Sequence, residues 1–181
     1  YQYTEDEVTS NYNWKVEKTK AINKSNSETR KFQIINDIVS GVIREFNYHE
    51  HITIDEYDRY KKSIDNAFKY RTDIIKGAKR NMECVYITGK SGTGKSTYAQ
   101  GVADSLVKSG EMNGVCISSA SNDPLQEYGG QDILLLEDLR DNAFKYQDLL
   151  KMLDNNTRSS STSRYSNKTF YGKLIIISSV E

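Results

Sequence analysis

The sequence contains few cysteines and no long apolar run, and each of these features argues against certain classes of protein. It contains two cysteines, Cys84 and Cys116, and no C-x-x-C pair. Both lie in apolar, strand-like stretches, so we interpret them as small buried side chains of a reducing, intracellular protein. No stretch approaches the length of a transmembrane helix, and no signal-peptide pattern opens the chain.

The chain also lacks net charge, with 25 basic and 25 acidic side chains. Overall charge therefore does not indicate nucleic-acid binding, and any such contact would come from a local patch or from assembly. Tyrosine is plentiful and proline occurs once. The tyrosines could stack on bases, but the coding bias of an AT-rich genome explains this composition more simply. A length of 181 residues allows one ordinary domain plus an extension, without disulfides or metals to hold the core.

One glycine-rich segment carries clear chemistry. Residues 85–97 read VYITGKSGTGKST, which has the G-x-x-x-x-G-K-[ST] spacing of a phosphate-binding loop. Residues 85–87 suit a buried strand before the loop, and apolar residues at helical spacing follow it until Gly110, which argues against a chance match to a Gly/Ser-rich turn. The predicted phosphate-binding residues are Gly89, Lys90, Ser91, Gly92, Thr93, Gly94, Lys95, Ser96 and Thr97.

In such a loop, glycines let several backbone N–H groups point at one anion, and the helix N-terminus adds a positive end. Lys95 would reach the β- and γ-phosphates, and the Ser96 hydroxyl would ligate Mg²⁺. The sequence therefore predicts a site for a nucleoside triphosphate and Mg²⁺.

Two acidic residues follow a second apolar run. The segment ILLL at residues 133–136 precedes Glu137 and Asp138 and is typical of a central parallel strand. Such a strand delivers its acids to the edge of the sheet beside the phosphate loop. From position we assign Glu137 to the metal and Asp138 to the attacking water, although the order could be reversed. A later apolar run, residues 173–179, would bring its final serines, Ser178 and Ser179, next to these acids.

The first part of the chain is helical or polar. Residues 1–27 are interpreted as a linker or the tail of a missing preceding domain. Apolar spacing predicts one helix over residues 28–46 and another over 55–76, and the short link at 47–53 would make them a helical hairpin. The hairpin would pack either on the nucleotide-binding part of the same chain or on neighbouring subunits, and the sequence leaves this choice open.

Two polar segments invite functional readings. The link contains His49-Glu50-His51, but Glu50 is polar and no third metal ligand stands out, so a metal role is not favoured. After a further helix at residues 143–154, residues 155–168 form a polar loop. It is either a solvated connection or a basic hairpin that offers Arg158, Arg164 and Lys168 to a phosphodiester backbone.

In this order, the motifs resemble the superfamily 3 helicase domain, the AAA+-like ATPase of replication initiator (Rep) proteins of circular single-stranded DNA viruses and related bacterial plasmids. Residues 89–97 resemble Walker A, and residues 127–131 lead into 134–138 as Walker B. Residues 158–168 resemble the B′ region, and residues 175–179 resemble motif C. The family often has Asp-Asp where this chain has Glu137-Asp138, and often an Asn in place of Ser179, which leaves the γ-phosphate sensor open between the last two serines.

This resemblance implies an α/β P-loop fold, with a parallel sheet flanked by helices and preceded by a helical segment. It divides the chain into a linker or tail (1–27), an oligomerisation segment (28–80) and an ATPase domain truncated at its C-terminus (81–181). It also implies that a ring, with six subunits as the expected number, unwinds DNA during rolling-circle replication with ATP and Mg²⁺ as its cofactors. Single-stranded DNA would be the partner, in the bacterial cytoplasm or a host nucleus. The alternatives are a nucleotide-gated assembly or DNA-binding module without turnover, and a P-loop kinase.

Overall fold

The computed structural model describes residues 13–77, 81–119, 124–139, 146–155 and 170–180. Its elements follow one another as helices first and then as alternating strands and helices. In chain order they are α1 (Trp14–Ser40), α2 (Tyr48–His51), α3 (Ile54–Gly77), β1 (Glu83–Gly89), α4 (Lys95–Lys108), β2 (Val115–Ser119), β3 (Ile133–Glu137), α5 (Tyr146–Leu153) and β4 (Leu174–Val180). We call α1 to α3 the helical unit and the remaining elements the nucleotide domain.

The four strands form one parallel sheet in the order β1-β4-β3-β2. Parallel strands need crossover connections, and α4 connects β1 to β2, which lie at opposite edges of the described sheet. The register pairs Gly89 with Val180 and Ser119 with Glu137, so these strands end at the same edge of the sheet. The predicted α/β class, with helices beside a parallel sheet and a helical segment before it, is confirmed.

Each face of the central strands is covered by a different helix. Ile133, Leu135 and Ile176 cluster with Ala99 and Ala103 of α4. The residues between them face the other side and cluster with Met152 of α5 and with Phe170. Because successive strand residues point to opposite faces, a strand covered on both sides reads as an unbroken apolar run.

Strand β1 departs from the prediction of a buried strand. Val85 and Tyr86 are 43% and 59% exposed, and Cys84 is exposed where the sequence suggested a buried thiol. Among the described residues β1 pairs only with β4, so it lies at an edge of the sheet and its side chains are poorly covered. Cys116, on β2, is buried as expected.

Helix α1 also differs from its predicted bounds of 28–46. It begins at Trp14, where the Asn13 side chain accepts the Val16 N–H at 3.5 Å. It ends at Ser40, and the left-handed backbone of the C-cap Gly41 (φ 91°) turns the chain out of the helix. The first two turns are almost wholly exposed, so they carry no apolar periodicity that a sequence pattern could detect. By contrast, α3 matches its prediction to within one residue at each end.

The helical unit is not the hairpin expected from the short link. Ser27 contacts Tyr60 and Ile38 contacts Arg71, two pairs with the same separation of 33 residues along the chain. An equal separation means that α1 and α3 run parallel. Because α1 ends at Ser40, its connection to α3 is longer than the predicted link at residues 47–53. This length lets the chain run back along α1 before α3 begins.

Arg44 of this connection joins the helical unit to the sheet. Its Nη1 donates to the Asp132 carboxylate and to the Gly130 carbonyl, both at 2.8 Å. Asp132, just before β3, also accepts the Asn113 N–H at 2.9 Å and contacts the Lys173 ammonium at 3.2 Å. Burial raises the pKa of Asp132, but the hydrogen bonds from Arg44 and Asn113 outweigh it and the pKa lies below its ordinary value.

Phe46 fills the space beside this ion pair. Its N–H donates to the Gly129 carbonyl at 3.2 Å. A Cβ added at Gly114 would lie 2.7 Å from the Phe46 ring, so only glycine allows this approach. The helical unit therefore packs on the nucleotide domain of its own chain. Packing on neighbouring subunits stays a prediction.

Candidate nucleotide-binding site

The phosphate loop connects the end of β1 to the start of α4. Gly92 and Gly94 have φ values of 79° and 82°, a region that glycine enters without strain. Gly94 is also the N-cap of α4, so the first backbone N–H groups of that helix lie at the loop. The helix N-terminus and the loop together offer several donors to one anion.

The predicted phosphate ligand Lys95 lies against its own loop. Its Nζ donates to the carbonyls of Gly89 and Lys90, at 2.7 and 2.8 Å. The Thr93 hydroxyl donates to the Lys90 carbonyl at 2.9 Å, which closes the turn. These contacts hold the ammonium group at the mouth of the loop, where an incoming phosphate would meet it.

The two acids lie at the end of β3 and have different surroundings. Glu137 follows the strand face that packs on α4, and its Oε1 accepts a hydrogen bond from Gln100 Nε2 at 3.1 Å. Asp138 has a φ of 52°, a left-handed conformation that aspartate adopts more readily than most residues. Its side chain is exposed.

The predicted contact between motif C and the acids is present. The Asp138 N–H donates to Ser178 Oγ at 3.3 Å, and the Leu139 N–H donates to the Ser178 carbonyl at 2.9 Å. The Ser179 hydroxyl donates to the Leu139 carbonyl at 2.9 Å. Both serines are buried, so their hydroxyl groups lie in fixed surroundings.

A cavity of about 290 Å³ brings most of these residues together. It is bounded by the phosphate loop on one side and by the ends of β3 and β4 on the other. Its lining consists of Ser91, Gly92, Gly94, Lys95, Ser96, Thr97, Asp138, Ser178, Ser179 and Val180. Glu137 does not line this cavity, and its carboxylate contacts Gln100 of α4 instead.

The remaining predicted residues are placed as follows. Arg158, Arg164 and Lys168 lie outside the described residues. His49 and His51 lie on α2, where His49 is within 4.0 Å of Glu50. Over the described ranges, no group of three or more His, Cys, Asp or Glu could hold a metal ion. None of the described helices is long and apolar enough to cross a membrane.

Gln100 is the site residue that sequence reasoning missed. Its signal was present, because it lies four residues after Ser96 and therefore on the same face of α4. A glutamine within an amphipathic helix is usually a surface residue, so the spacing alone gave no reason to choose it. Only the packing of α4 on β3 shows that it meets an acid.

Comparisons with known proteins identify the family of the chain. A family model described as RNA helicase matches residues 85–180, more than half of the chain. A curated protein described as "Replication protein", from Onion yellows phytoplasma (strain OY-M), is 45% identical over 183 residues, covering 100% of this chain and 47% of the relative. The chain thus spans about half the length of the curated relative it matches. The chain belongs to the RNA helicase family, in agreement with the predicted superfamily 3 helicase domain.

Proposed function

We propose that this chain is the ATP-hydrolysing part of a rolling-circle replication initiator and that it unwinds DNA as a ring-shaped oligomer, with six subunits as the expected number. The observation that carries the proposal is the single cavity shared by the phosphate loop, Asp138 and the two motif C serines. Phosphoryl transfer to water requires hydrogen-bond donors that hold the phosphates, an acid for the water, and polar residues that contact the γ-phosphate, all around one space.

The phosphate loop binds the triphosphate in this proposal. Backbone N–H groups of residues 91–97 would surround the phosphates, and Lys95 would exchange its loop carbonyls for phosphate oxygens. A point charge beside the β- and γ-phosphates stabilises the charge that develops as the bond breaks. The loop therefore both binds the nucleotide and favours its transition state.

The donor set fits Mg²⁺. A hydroxyl from Ser96 and a carboxylate from Glu137 are hard oxygen ligands, and Mg²⁺ usually binds one or two carboxylates together with substrate phosphates. The lack of a larger acidic cluster among the described residues agrees with such a shared site. When bound, Mg²⁺ would neutralise charge on the phosphate oxygens.

Asp138 is the proposed residue for the attacking water. It lines the cavity beside Ser178, and its carboxylate would orient the water and accept its proton. The Ser179 hydroxyl already donates a hydrogen bond to the Leu139 carbonyl. Ser178 Oγ instead accepts a hydrogen bond from the Asp138 N–H, which leaves its own hydroxyl hydrogen for another acceptor. This arrangement favours Ser178 as the residue that donates to the γ-phosphate.

The DNA contacts are proposed from the sequence and the family. Arg158, Arg164 and Lys168 would bind the phosphodiester backbone of single-stranded DNA, and several copies in a ring would act on one strand at high effective concentration. The helical unit would contribute to assembly. The printed name of the phytoplasma relative supports a role in replication, and an intracellular location follows from that role.

Replacement of Lys95 tests this function. Lys95→Ala should abolish hydrolysis and weaken ATP binding strongly, measured by steady-state ATPase with and without single-stranded DNA and by titration with a fluorescent ATP analogue. Lys108→Ala, in the last turn of the same helix, is the matched control and should leave both measurements unchanged.

The outcomes separate the alternatives. Unchanged ATP affinity in Lys95→Ala would refute the phosphate-loop assignment. Tight binding by the unmodified chain, with no turnover on DNA, would instead favour a nucleotide-gated module. Phosphate transfer to a small acceptor would favour a kinase.

A further inference from the structure

Gln100 is a polar residue of α4 whose side chain reaches the sheet. Its Nε2 donates to Glu137 Oε1 at 3.1 Å, and both side chains are half-buried. A carboxamide donates a hydrogen bond without carrying charge. It therefore restrains the carboxylate without neutralising it, unlike a lysine or arginine at the same place.

This hydrogen bond connects the acid to the helix that begins at the phosphate loop. Gln100 follows Ser96 by four residues, so the two lie on the same side of α4. The strand face that precedes Glu137 packs on the same helix, where Ala99 and Ala103 are fully buried. A close-packed contact of this kind fixes the distance between helix and strand.

We propose that Gln100 is a positioning residue for the magnesium site. By holding Oε1 of Glu137, it leaves the second carboxylate oxygen for the metal and keeps that oxygen in register with the Ser96 hydroxyl. The inference rests on the proposed function, because it takes Ser96 and Glu137 as the residues that hold Mg²⁺. Loss of a group that orients a metal ligand typically costs about 10- to 100-fold in metal affinity or activity.

The test measures how much Mg²⁺ the full chain needs to bind a fluorescent ATP analogue. Gln100→Met keeps the length of the side chain but removes its donor, a substitution that conserves volume. The half-saturating Mg²⁺ concentration should rise about 10-fold. Gln147→Met, at an exposed position of α5, is the matched control and should leave that concentration unchanged.

A second variant separates positioning from packing. If Gln100 acts through Glu137, Gln100→Met should have no further effect on the Mg²⁺ requirement once Glu137→Gln is present, because the metal-binding charge has already gone. Thermal unfolding of each variant reports stability independently of the metal. A Gln100 that only packs would lower the unfolding temperature equally in both backgrounds and leave the Mg²⁺ requirement alone.

The result is decisive in each case. An unchanged Mg²⁺ requirement in Gln100→Met, or effects of Gln100→Met and Glu137→Gln that simply multiply, would overturn the role of Gln100. If the unmodified chain shows no Mg²⁺-dependent binding of the analogue, the proposed function fails, and the positioning role fails with it.

Discussion

Glu137 and Asp138 are neighbours in the chain, yet the backbone gives them different partners. Glu137 is hydrogen-bonded to Gln100 on α4, whereas Asp138, with its φ of 52°, lines the cavity beside Ser178. A difference in surroundings allows two adjacent carboxylates to have different roles. The proposed division of roles, with Glu137 at the metal and Asp138 at the water, is compatible with this separation.

The first prediction tests these roles. Asp138→Asn should still bind Mg²⁺ and ATP but hydrolyse ATP at least ~100-fold more slowly, since an amide cannot accept the proton of the attacking water. Asparagine tolerates a left-handed backbone as well as aspartate does, so the fold should persist. Glu137→Gln should instead raise the Mg²⁺ requirement. Steady-state kinetics across a Mg²⁺ titration gives both values; exchanged phenotypes would reverse the roles, and full activity in both variants would remove the site.

At this scale the sequence predicted the position of the loop between a strand and a helix, but not the different surroundings of the two acids. The phosphate loop is a continuous motif, so its residues were identified from spacing alone. The contact between Gln100 and Glu137 depends on which strand face packs against α4. The different surroundings of the two acids depend also on the unusual φ value of Asp138. Neither feature is encoded in a local sequence pattern.

Among the elements, α3 has the best-defined start. Thr53 and Glu56 form a capping box, in which the Thr53 N–H donates to Glu56 Oε2 at 3.0 Å and the Glu56 N–H donates to Thr53 Oγ1 at 3.4 Å. Arg30 of α1 donates to the same carboxylate at 2.8 Å. The hydrogen bond from Arg30, followed by that from Thr53, lowers the pKa of Glu56 to about 2.

The second prediction follows from that pKa. Glu56→Gln should lower the free energy of unfolding by up to about 1 kcal/mol at pH 7, because glutamine keeps an acceptor for the capping box but loses the charge that pairs with Arg30. Because the folded-state pKa is depressed from its ordinary value of 4.5, this contribution is complete above pH 4.5 and is lost as the pH falls towards about 2. Urea unfolding at several pH values measures the difference between variant and unmodified chain.

A neighbouring acid provides the control for this prediction. Asp55→Asn removes a charge from the same first turn at an exposed position. It should cost less than Glu56→Gln at pH 7. A Glu56→Gln effect that stays constant between pH 7 and pH 3 would show that the carboxylate charge is not responsible.

The helices also show why some elements escape prediction. The end of α1 depends on Gly41, which the apolar pattern passed over because Val42 and Phe46 continued it. Phe46 is apolar for a different reason, since it packs against Gly129 and Gly114 of the nucleotide domain. An apolar residue that serves a tertiary contact is easily assigned to a helix face.

Across the whole molecule, the order of strands and helices followed from the sequence, but the joint between its two parts did not. Arg44 and Asp132 are 88 residues apart in the chain, and their side chains are 13% and 7% exposed. Long-range pairing of this kind leaves no periodic signal. It places the helical unit at the opposite end of β3 from the acids.

Arg71 strengthens the same region. Its Nη1 donates to the carbonyls of Ile38 and Val39 at 3.2 and 3.1 Å, so these carbonyls in the last turn of α1 have a hydrogen-bond donor. Burial, together with the nearby charge of Arg44, lowers its pKa below the ordinary value. The end of α1 is thus held next to the ion pair that reaches the sheet.

The last prediction concerns the cooperativity of the whole chain. Arg44→Met should lower the free energy of unfolding by about 3 kcal/mol, because it leaves the Asp132 carboxylate buried without its main partner. Lys173→Met removes a contact to the same carboxylate, but Lys173 is 54% exposed, so its loss should cost less than about 1 kcal/mol.

Two probes of urea unfolding follow the two units together. Far-UV circular dichroism reports mainly the long helices α1 and α3, and release of a bound fluorescent nucleotide reports the phosphate loop. In the unmodified chain the two transitions should coincide, since the ion pair and Phe46 bind the units into one cooperative structure. In Arg44→Met they should separate, with the helical signal lost first. Separate transitions in the unmodified chain, or equal costs for Arg44→Met and Lys173→Met, would show that this joint does not couple the helical unit to the nucleotide domain.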